Sequence, residues 1–135
     1  MQVDVVGIPI QNVTMDEAVN DVVSFMEQRE AKIVVTPNAE ILQMCVENEQ
    51  VRQTVLQADY IIPDGIGVVK AAAMLGTPLK EKTPGIEFAG HLMERMAKMG
   101  KSLYLLGAKP GVAEQAGRNL AEKYPGLKIA GIHDG

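Results

Sequence analysis

The chain has 135 residues, of which 47% are hydrophobic, so it is long enough to bury a core of its own. Its net charge of −4, from 13 basic and 17 acidic residues, argues against nucleic acid as a partner. The single cysteine, Cys45, excludes an intrachain disulfide and suits a reducing compartment. No signal-peptide pattern opens the chain and no apolar run reaches the roughly 18 residues of a membrane span, so we expect an intracellular protein, soluble or bound at a membrane surface.

Short apolar runs alternate with amphipathic runs along the chain. Residues 2–13 predict a strand and a hairpin arm, and a capping box at Thr14 and Glu17 predicts the start of a helix. Further strands are predicted at 31–36, 59–63, 101–107 and 127–132, and helices at 39–48, 49–57, 65–76, 85–100 and 111–125. Strands separated by helices imply crossovers, so we predict a Rossmann-like α/β fold, a mostly parallel sheet with helices on both faces.

No linker, repeat or low-complexity segment interrupts residues 1–135, which predicts a single domain. The sequence stops at "IHDG", directly after a predicted strand, where an α/β unit ordinarily continues into a helix. We therefore expect the domain to be truncated at its C-terminal end.

Polar side chains follow the strand in "VVTPNAE". In open parallel sheets, ligands bind beyond the carboxyl ends of the strands. Pro37 ends this strand, and Thr36 and Asn38 present a hydroxyl and an amide at the edge of the sheet. Asn38 also has a simpler explanation, as the N-cap of the next helix.

A carboxylate follows the strand in "IIPDGIG". Pro63 ends that strand, Asp64 sits at its tip, and Gly65 and Gly67 let a ligand approach the backbone. Asp64 could act as a general base on a hydroxyl or bind a sugar hydroxyl. A helix cap or an Asx turn explains the same aspartate. No second carboxylate follows at the spacing of a D-x-D cation site, so no metal is predicted.

Two loops carry the residues of an anion site. "LLGAKPGVAE" places Gly107, Lys109 and Gly111 before a helix whose first amides could bind a phosphate, although it is neither a Walker A loop nor a dinucleotide fingerprint. "LKEKTPG" places Lys80 and Lys82 before another helix. An ordinary turn and a solvated charged loop, respectively, explain the same residues.

Two further features have no assigned chemistry. His133 and Asp134 follow the last predicted strand without an identified partner. Met93, Met96 and Met99 share roughly one face of a predicted helix, which indicates core or interface. Such a helix could support a homo-oligomer, and the sequence leaves the oligomeric state open.

Taken together, the segments resemble the WecG/TagA/CpsF family of glycosyltransferases, most closely its TagA branch. The matching segments run in order across nearly the whole chain: "TPNAEIL", "IIPDGIGVVKAAAMLG", "GIEFAGHLMERMAKMG", "LYLLGAKPGVAEQAGRNLAEKYPGLKIAG" and "HDG". The resemblance implies inverting transfer of N-acetylmannosamine from a UDP donor to the 4-hydroxyl of N-acetylglucosamine on a polyprenyl diphosphate. The product belongs to wall teichoic acid or a related surface polymer.

The resemblance also assigns residues. The family's proposed general base falls on Asp64, and its characteristic Thr and Asn, which orient substrate or base, fall on Thr36 and Asn38. The family has no D-x-D motif, so the resemblance implies transfer without a metal or other cofactor, and we place the donor diphosphate near Gly107–Gly111. Lys82 stands where the family commonly has arginine. Lysine keeps the positive charge of arginine but lacks the bidentate fork of its guanidinium group.

The resemblance further implies a peripheral protein at the inner face of the cell membrane, docked through a C-terminal segment beyond Gly135. Two other classes of protein are alternatives to this expectation. A non-catalytic nucleotide- or phosphosugar-binding α/β module explains the same loops. An NAD-dependent oxidoreductase is disfavoured because the glycine fingerprint is missing after every strand.

Overall fold

The computed structural model describes all residues from Met1 to Gly135. The strands are β1 (Gln2–Val5), β2 (Ile8–Gln11), β3 (Val34–Val35), β4 (Tyr60–Ile61), β5 (Ser102–Leu106) and β6 (Lys128–His133). The helices are α1 (Met15–Phe25), α2 (Ala39–Glu47), α3 (Glu49–Leu56), α4 (Ile66–Met74), α5 (Gly85–Met99) and α6 (Val112–Lys123). The chain divides into two compact units, Met1–Phe88 and Ala89–Gly135.

The strands pair in three two-stranded sheets. β1 and β2 form an antiparallel hairpin, whereas β3 pairs with β4 and β5 with β6 in parallel. Each parallel pair is joined through helices, α2 and α3 in the first case and α6 in the second. The predicted α/β class and its crossovers are therefore confirmed, while a single Rossmann-like sheet and a single domain stay predictions.

Local sequence signals account for the start of α1. The Thr14 hydroxyl accepts a hydrogen bond from the Glu17 N–H, and the Glu17 carboxylate accepts one from the Thr14 N–H at 2.8 Å. This is the predicted capping box, which satisfies amides that have no partner within the helix. The helix then buries Ala18 and Val22.

The core of the first unit lies around the hairpin and β4. Its fully buried members include Val5, Ile8, Ile10 and Val68. Cys45 joins this core, and burial raises the pKa of its thiol, which disfavours the reactive thiolate.

In the second unit, α6 packs against the β5–β6 pair. Gly117 is buried in this contact, and a Cβ at that position would lie 2.8 Å from Ile132 Cδ1. The absence of a side chain thus lets the helix approach the sheet closely. Core or interface was predicted for the three methionines of α5, and Met96 is buried in the core.

Candidate active site

The carboxyl ends of β3 and β4 lie side by side, because parallel pairing sets Val35 opposite Ile61. Hydrogen bonding continues past the strands. The Ile62 N–H donates to the Val35 carbonyl at 2.9 Å, and the Asp64 N–H donates to the Pro37 carbonyl at 3.2 Å. The two predicted site loops therefore form one connected platform, as expected for neighbouring parallel strands.

The loop before α5 is attached to this platform. The Thr83 N–H donates to the Pro63 carbonyl at 2.9 Å. Thr83, Pro63 and Pro37 are all fully buried, so the base of the platform is closely packed. The Thr83 hydroxyl is buried without a hydrogen-bond partner. The sequence did not predict this, because a threonine in a charged loop gives no sign of burial.

Thr36 and Asp64 meet at the first residue of α5. A Cβ placed on Gly85 would lie 2.9 Å from Thr36 Oγ1 and 3.4 Å from Asp64 Oδ2. Gly85 thus leaves room for both side chains beside the amides of the first turn, which have no partners within the helix. The sequence predicts Gly85 at a helix start but gives no sign of its contact with the site, because only the tertiary fold brings α5 there.

The Asp64 carboxylate is not a helix cap. α4 has Gly65 as its N-cap, at φ +93°, and no side chain caps it. The half-buried Asp64 makes no hydrogen bond or ion pair through its side chain. The capping and Asx-turn explanations are therefore wrong, and the carboxylate is available to a ligand.

Asn38 does cap a helix. Its side-chain oxygen accepts from the Ile41 N–H at 3.0 Å, at the start of α2. The simpler explanation of Asn38 is therefore confirmed. The cap uses the oxygen of the amide and leaves its nitrogen for other contacts, so a substrate-orienting role stays a prediction.

The two glycines after Asp64 differ in their surroundings. Gly65 has no atom within 4 Å of a Cβ built on it, so the space beside it is open. A Cβ on Gly67 would lie 2.9 Å from the Ala39 Cβ, so Gly67 allows close packing of α4 against α2. Substrate contact at either glycine stays a prediction.

The two lysines before α5 also differ. The Lys80 ammonium lies 3.0 Å from the Glu17 carboxylate, and the Lys80 N–H donates to the Asn12 side-chain oxygen at 2.8 Å. Lys80 therefore fastens its loop to the start of α1. Lys82 is exposed and has no ion pair, which leaves it as the cation available before α5.

In the second unit, the loop before α6 joins the end of β6. The Gly107 N–H donates to the His133 carbonyl, and the Gly135 N–H donates to the Ala108 carbonyl, both at 2.9 Å. Gly107, Ala108 and Gly111 all have positive φ, at +124°, +66° and +87°. The predicted glycines are thus required by the backbone itself, and the left-handed Ala108 was not foreseen.

This loop has the elements of an anion site without evidence of a ligand. α6 begins with Gly111 as its N-cap and no side-chain cap, and Lys109 is exposed nearby in sequence. The His133 Nδ1 lies 3.7 Å from an Asp134 carboxylate oxygen, so these two neighbours contact each other. No group of three or more His, Cys, Asp or Glu side chains lies close enough to hold a metal ion.

The site in the first unit has the parts needed to take a proton from a hydroxyl. A carboxylate without an internal partner and a neighbouring hydroxyl lie beside Gly85, at a helix start whose first amides have no partners within the helix. These parts suit a transferase or a hydrolase that acts on a sugar or alcohol hydroxyl.

Comparison with known proteins distinguishes between these two classes of enzyme. Residues 3–135 match the sequence profile described as "Glycosyl transferase WecG/TagA/CpsF family", and the chain belongs to this family. The resemblance drawn from its motifs is therefore confirmed.

Curated relatives include the N-acetylglucosaminyldiphosphoundecaprenol N-acetyl-beta-D-mannosaminyltransferases of three Staphylococcus aureus strains, NCTC 8325 / PS 47, COL and MSSA476. Each is 32% identical to this chain over 134 residues, an alignment that covers 98% of this chain and 53% of the relative. The chain thus spans about half the length of these relatives. None of its helices has the length and apolar character needed to cross a bilayer.

Proposed function

We propose that the protein is an inverting glycosyltransferase that moves N-acetylmannosamine from UDP to the 4-hydroxyl of N-acetylglucosamine on a polyprenyl diphosphate. Its product would be a precursor of wall teichoic acid or a related surface polymer. Family membership and the names of the relatives support the reaction class and the acceptor. The observation that carries the mechanism is the unpaired Asp64 carboxylate beside Thr36 and Gly85.

In the proposed mechanism Asp64 is the general base. It takes the proton of the acceptor 4-hydroxyl while that oxygen attacks the anomeric carbon of the donor sugar. The bond from that carbon to the diphosphate oxygen breaks on the opposite side, and UDP leaves with the electron pair. Thr36 and Asn38 orient the acceptor hydroxyl or the carboxylate.

The two diphosphates need positive partners. We assign the donor diphosphate to the loop Gly107–Gly111, where the first amides of α6 and the exposed Lys109 supply positive charge. We assign the acceptor diphosphate to Lys82, with Gly65 and Gly67 leaving room for the sugars. Departure of UDP then relies on amides and lysines in place of a divalent cation.

The proposed acceptor is a membrane lipid, so we also propose that the protein is peripheral at the inner face of the cell membrane. Docking would use a segment outside the 135 residues described. Partners other than the two substrates are not required by this proposal.

The test uses the full-length protein with UDP-N-acetylmannosamine and a short-chain lipid-diphosphate acceptor, with release of UDP as the measurement. Asp64→Asn keeps the shape of the side chain and removes the base, so we expect a loss of about 100-fold or more. Asp16→Asn, at an exposed position on α1, is the matched control and should release UDP at the wild-type rate.

Equal release from wild type and Asp64→Asn would refute the role of Asp64. UDP binding without turnover in any variant would instead support the non-catalytic binding module.

A further inference from the structure

The loop of residues 79–83, which leads from α4 to α5, is held at both of its ends. Leu79 is buried and belongs to the core of the first unit. Thr83 is fully buried, and its N–H donates to the carbonyl of Pro63, the residue before Asp64, at 2.9 Å. The far end of the loop is therefore attached to the strand tip that carries the candidate base.

The middle of the 79–83 loop is attached to the segment that leads into α1. The Lys80 N–H donates to the Asn12 side-chain oxygen at 2.8 Å. The Glu81 carboxylate accepts a hydrogen bond from the N–H of Met15, the first residue of α1. These two bonds join segments that are 68 and 66 residues apart in the sequence, so they are tertiary contacts and not part of a local turn.

Lys82 is the exception within this loop. The residues on either side of it are hydrogen-bonded to other segments, whereas the Lys82 side chain is exposed and has no ion pair. A lysine is a point charge on a flexible stem, so the position of its backbone decides which ligand atoms its ammonium can reach. The flanking bonds fix that position one residue away from the contact with Pro63.

Asn12 is the buried member of these contacts. It lies directly after β2 and is only 8% exposed, so its amide is largely removed from water. Burial of an amide costs free energy unless it is hydrogen-bonded, and an apolar residue would fill the same space without that cost. A buried side-chain hydrogen bond restricts its partners to one arrangement, and here it sets the backbone of Lys80 against the end of the hairpin.

We propose that Asn12 is a positioning residue for Lys82. It fixes the backbone of the 79–83 loop so that the Lys82 ammonium meets a diphosphate while the attached sugar reaches Asp64. The inference rests on the proposed function, in which Lys82 binds the acceptor diphosphate, and adds the residue that determines where this cation stands. Glu81 contributes in the same way through its bond to Met15.

The test is a double-mutant cycle between Asn12 and Lys82 in the full-length protein, measured as the KM for the short-chain lipid-diphosphate acceptor. Lys82→Ala removes the cation and should raise this KM by about tenfold or more. Asn12→Leu removes the accepting oxygen at similar volume and should raise it by about fivefold, with kcat within about twofold of wild type because Asp64 is unchanged. In the Lys82→Ala background, Asn12→Leu should change the KM by less than about twofold.

The cycle separates positioning from stability. Val22→Ala, in the buried face of α1, is the control for stability and should lower the unfolding temperature without changing the acceptor KM. Equal rises in KM on both Lys82 backgrounds would overturn the proposal, because Asn12 would then act independently of Lys82. An unchanged KM in Asn12→Leu would overturn it as well.

Glu81→Ala is a second variant, and it does not disturb a buried group because Glu81 is exposed. We expect the acceptor KM to rise by about threefold, and this rise should again disappear in the Lys82→Ala background. Glu27→Ala removes an exposed carboxylate beyond the end of α1 and is the matched control, with the wild-type KM expected. Effects of Glu81→Ala that are equal on both backgrounds would contradict positioning by the loop.

Binding of the acceptor without a donor separates this inference from the proposed function. Titration calorimetry on the same variants should show the same dependence of the Asn12→Leu effect on Lys82. Failure of the wild type to release UDP would refute the proposed function, whereas coupled losses of acceptor affinity would still support the role of Asn12. Acceptor affinity that Lys82→Ala does not change would overturn that role, because Lys82 would then hold no ligand for Asn12 to position.

Discussion

Asp64 and its neighbours are placed by contacts that each involve one or two atoms. The Asp64 backbone is held by the Pro37 carbonyl, and Gly85 leaves the space that the Thr36 and Asp64 side chains use. At this scale, small changes of volume or polarity should separate the effects on catalysis from the effects on stability.

The first prediction at the residue scale concerns Gly85. Gly85→Ala would place a Cβ 2.9 Å from Thr36 Oγ1, so Thr36 or the start of α5 must shift. We expect UDP release to fall by about 10- to 100-fold, since displacement by about 1 Å has effects of this size on catalysis.

The control for Gly85→Ala is Gly90→Ala, also in α5. Its added Cβ would meet only the end of the Tyr124 side chain, at 3.3 Å. Wild-type release from Gly85→Ala would show that the close contact does not position Thr36 and Asp64.

The second prediction concerns Thr83. Its hydroxyl is buried without a partner, so Thr83→Val removes a polar group at nearly constant shape. We expect the free energy of unfolding in urea to rise by about 1 kcal/mol. Thr77→Val should lower it by a similar amount, because the Thr77 hydroxyl donates to the Ala72 carbonyl at 3.3 Å. Destabilisation by Thr83→Val would mean that its hydroxyl is hydrogen-bonded in the folded protein.

At the scale of elements, the carboxyl ends of β3 and β4 and the start of α5 assemble the site. A single salt bridge between Lys80 and Glu17 helps to fix the loop that leads into α5, and the same Glu17 completes the capping box of α1. One carboxylate thus connects the start of one helix to the loop before another. Protonation of the Glu17 carboxylate should therefore weaken both the cap of α1 and the attachment of the loop before α5.

The prediction at this scale concerns pH. The hydrogen bond from the Thr14 backbone, followed by the Lys80 ammonium, lowers the pKa of Glu17 in the folded state. A depressed folded pKa means that the stabilisation is present above the unfolded pKa and is lost as pH falls through the folded pKa. Glu17→Gln should therefore reduce stability at pH 7 and weaken its dependence on pH below about pH 4.5.

Thermal unfolding followed by circular dichroism from neutral to acid pH checks this expectation. Glu27→Gln, at an exposed position beyond the end of α1, serves as the control and should retain the wild-type dependence. Identical pH profiles for wild type and Glu17→Gln would exclude the capping carboxylate as a source of acid sensitivity.

At the scale of the whole molecule, the chain consists of two compact units. The first contains Asp64, and the second contains the glycine loop before α6. The proposed function assigns acceptor chemistry to the first unit and donor binding to the second. Transfer by the full-length protein therefore depends on both.

The prediction at this scale concerns metal removal. Because amides and lysines are proposed to bind the donor diphosphate, EDTA should leave UDP release within about twofold of the untreated rate. Lys109→Ala, by contrast, should raise the KM for the donor. Loss of activity in EDTA that Mg²⁺ restores would refute transfer without a metal.

Elements with local signals can be predicted from the residues alone. The capping box at Thr14 and Glu17, the cap at Asn38 and the alternation of strands and helices depend on contacts within a few residues, which residue type and spacing specify. The family also followed from short motifs in fixed order. Pairing of β3 with β4 was not predicted, although the polar residues after each strand were expected at the carboxyl edge of a parallel sheet.

Which side chains are free to bind a ligand and which are already paired depends on contacts in the folded protein. Lys80 and Lys82 look alike in sequence, yet Glu17, 63 residues away, pairs with Lys80 alone. Asp64 satisfied the pattern of a helix cap, and the structure leaves its carboxylate unpaired. The contacts of Gly85 and Thr83 at the site gave no signal in the sequence, because they arise from packing between distant segments. Such packing depends on the whole fold, and no local pattern encodes it.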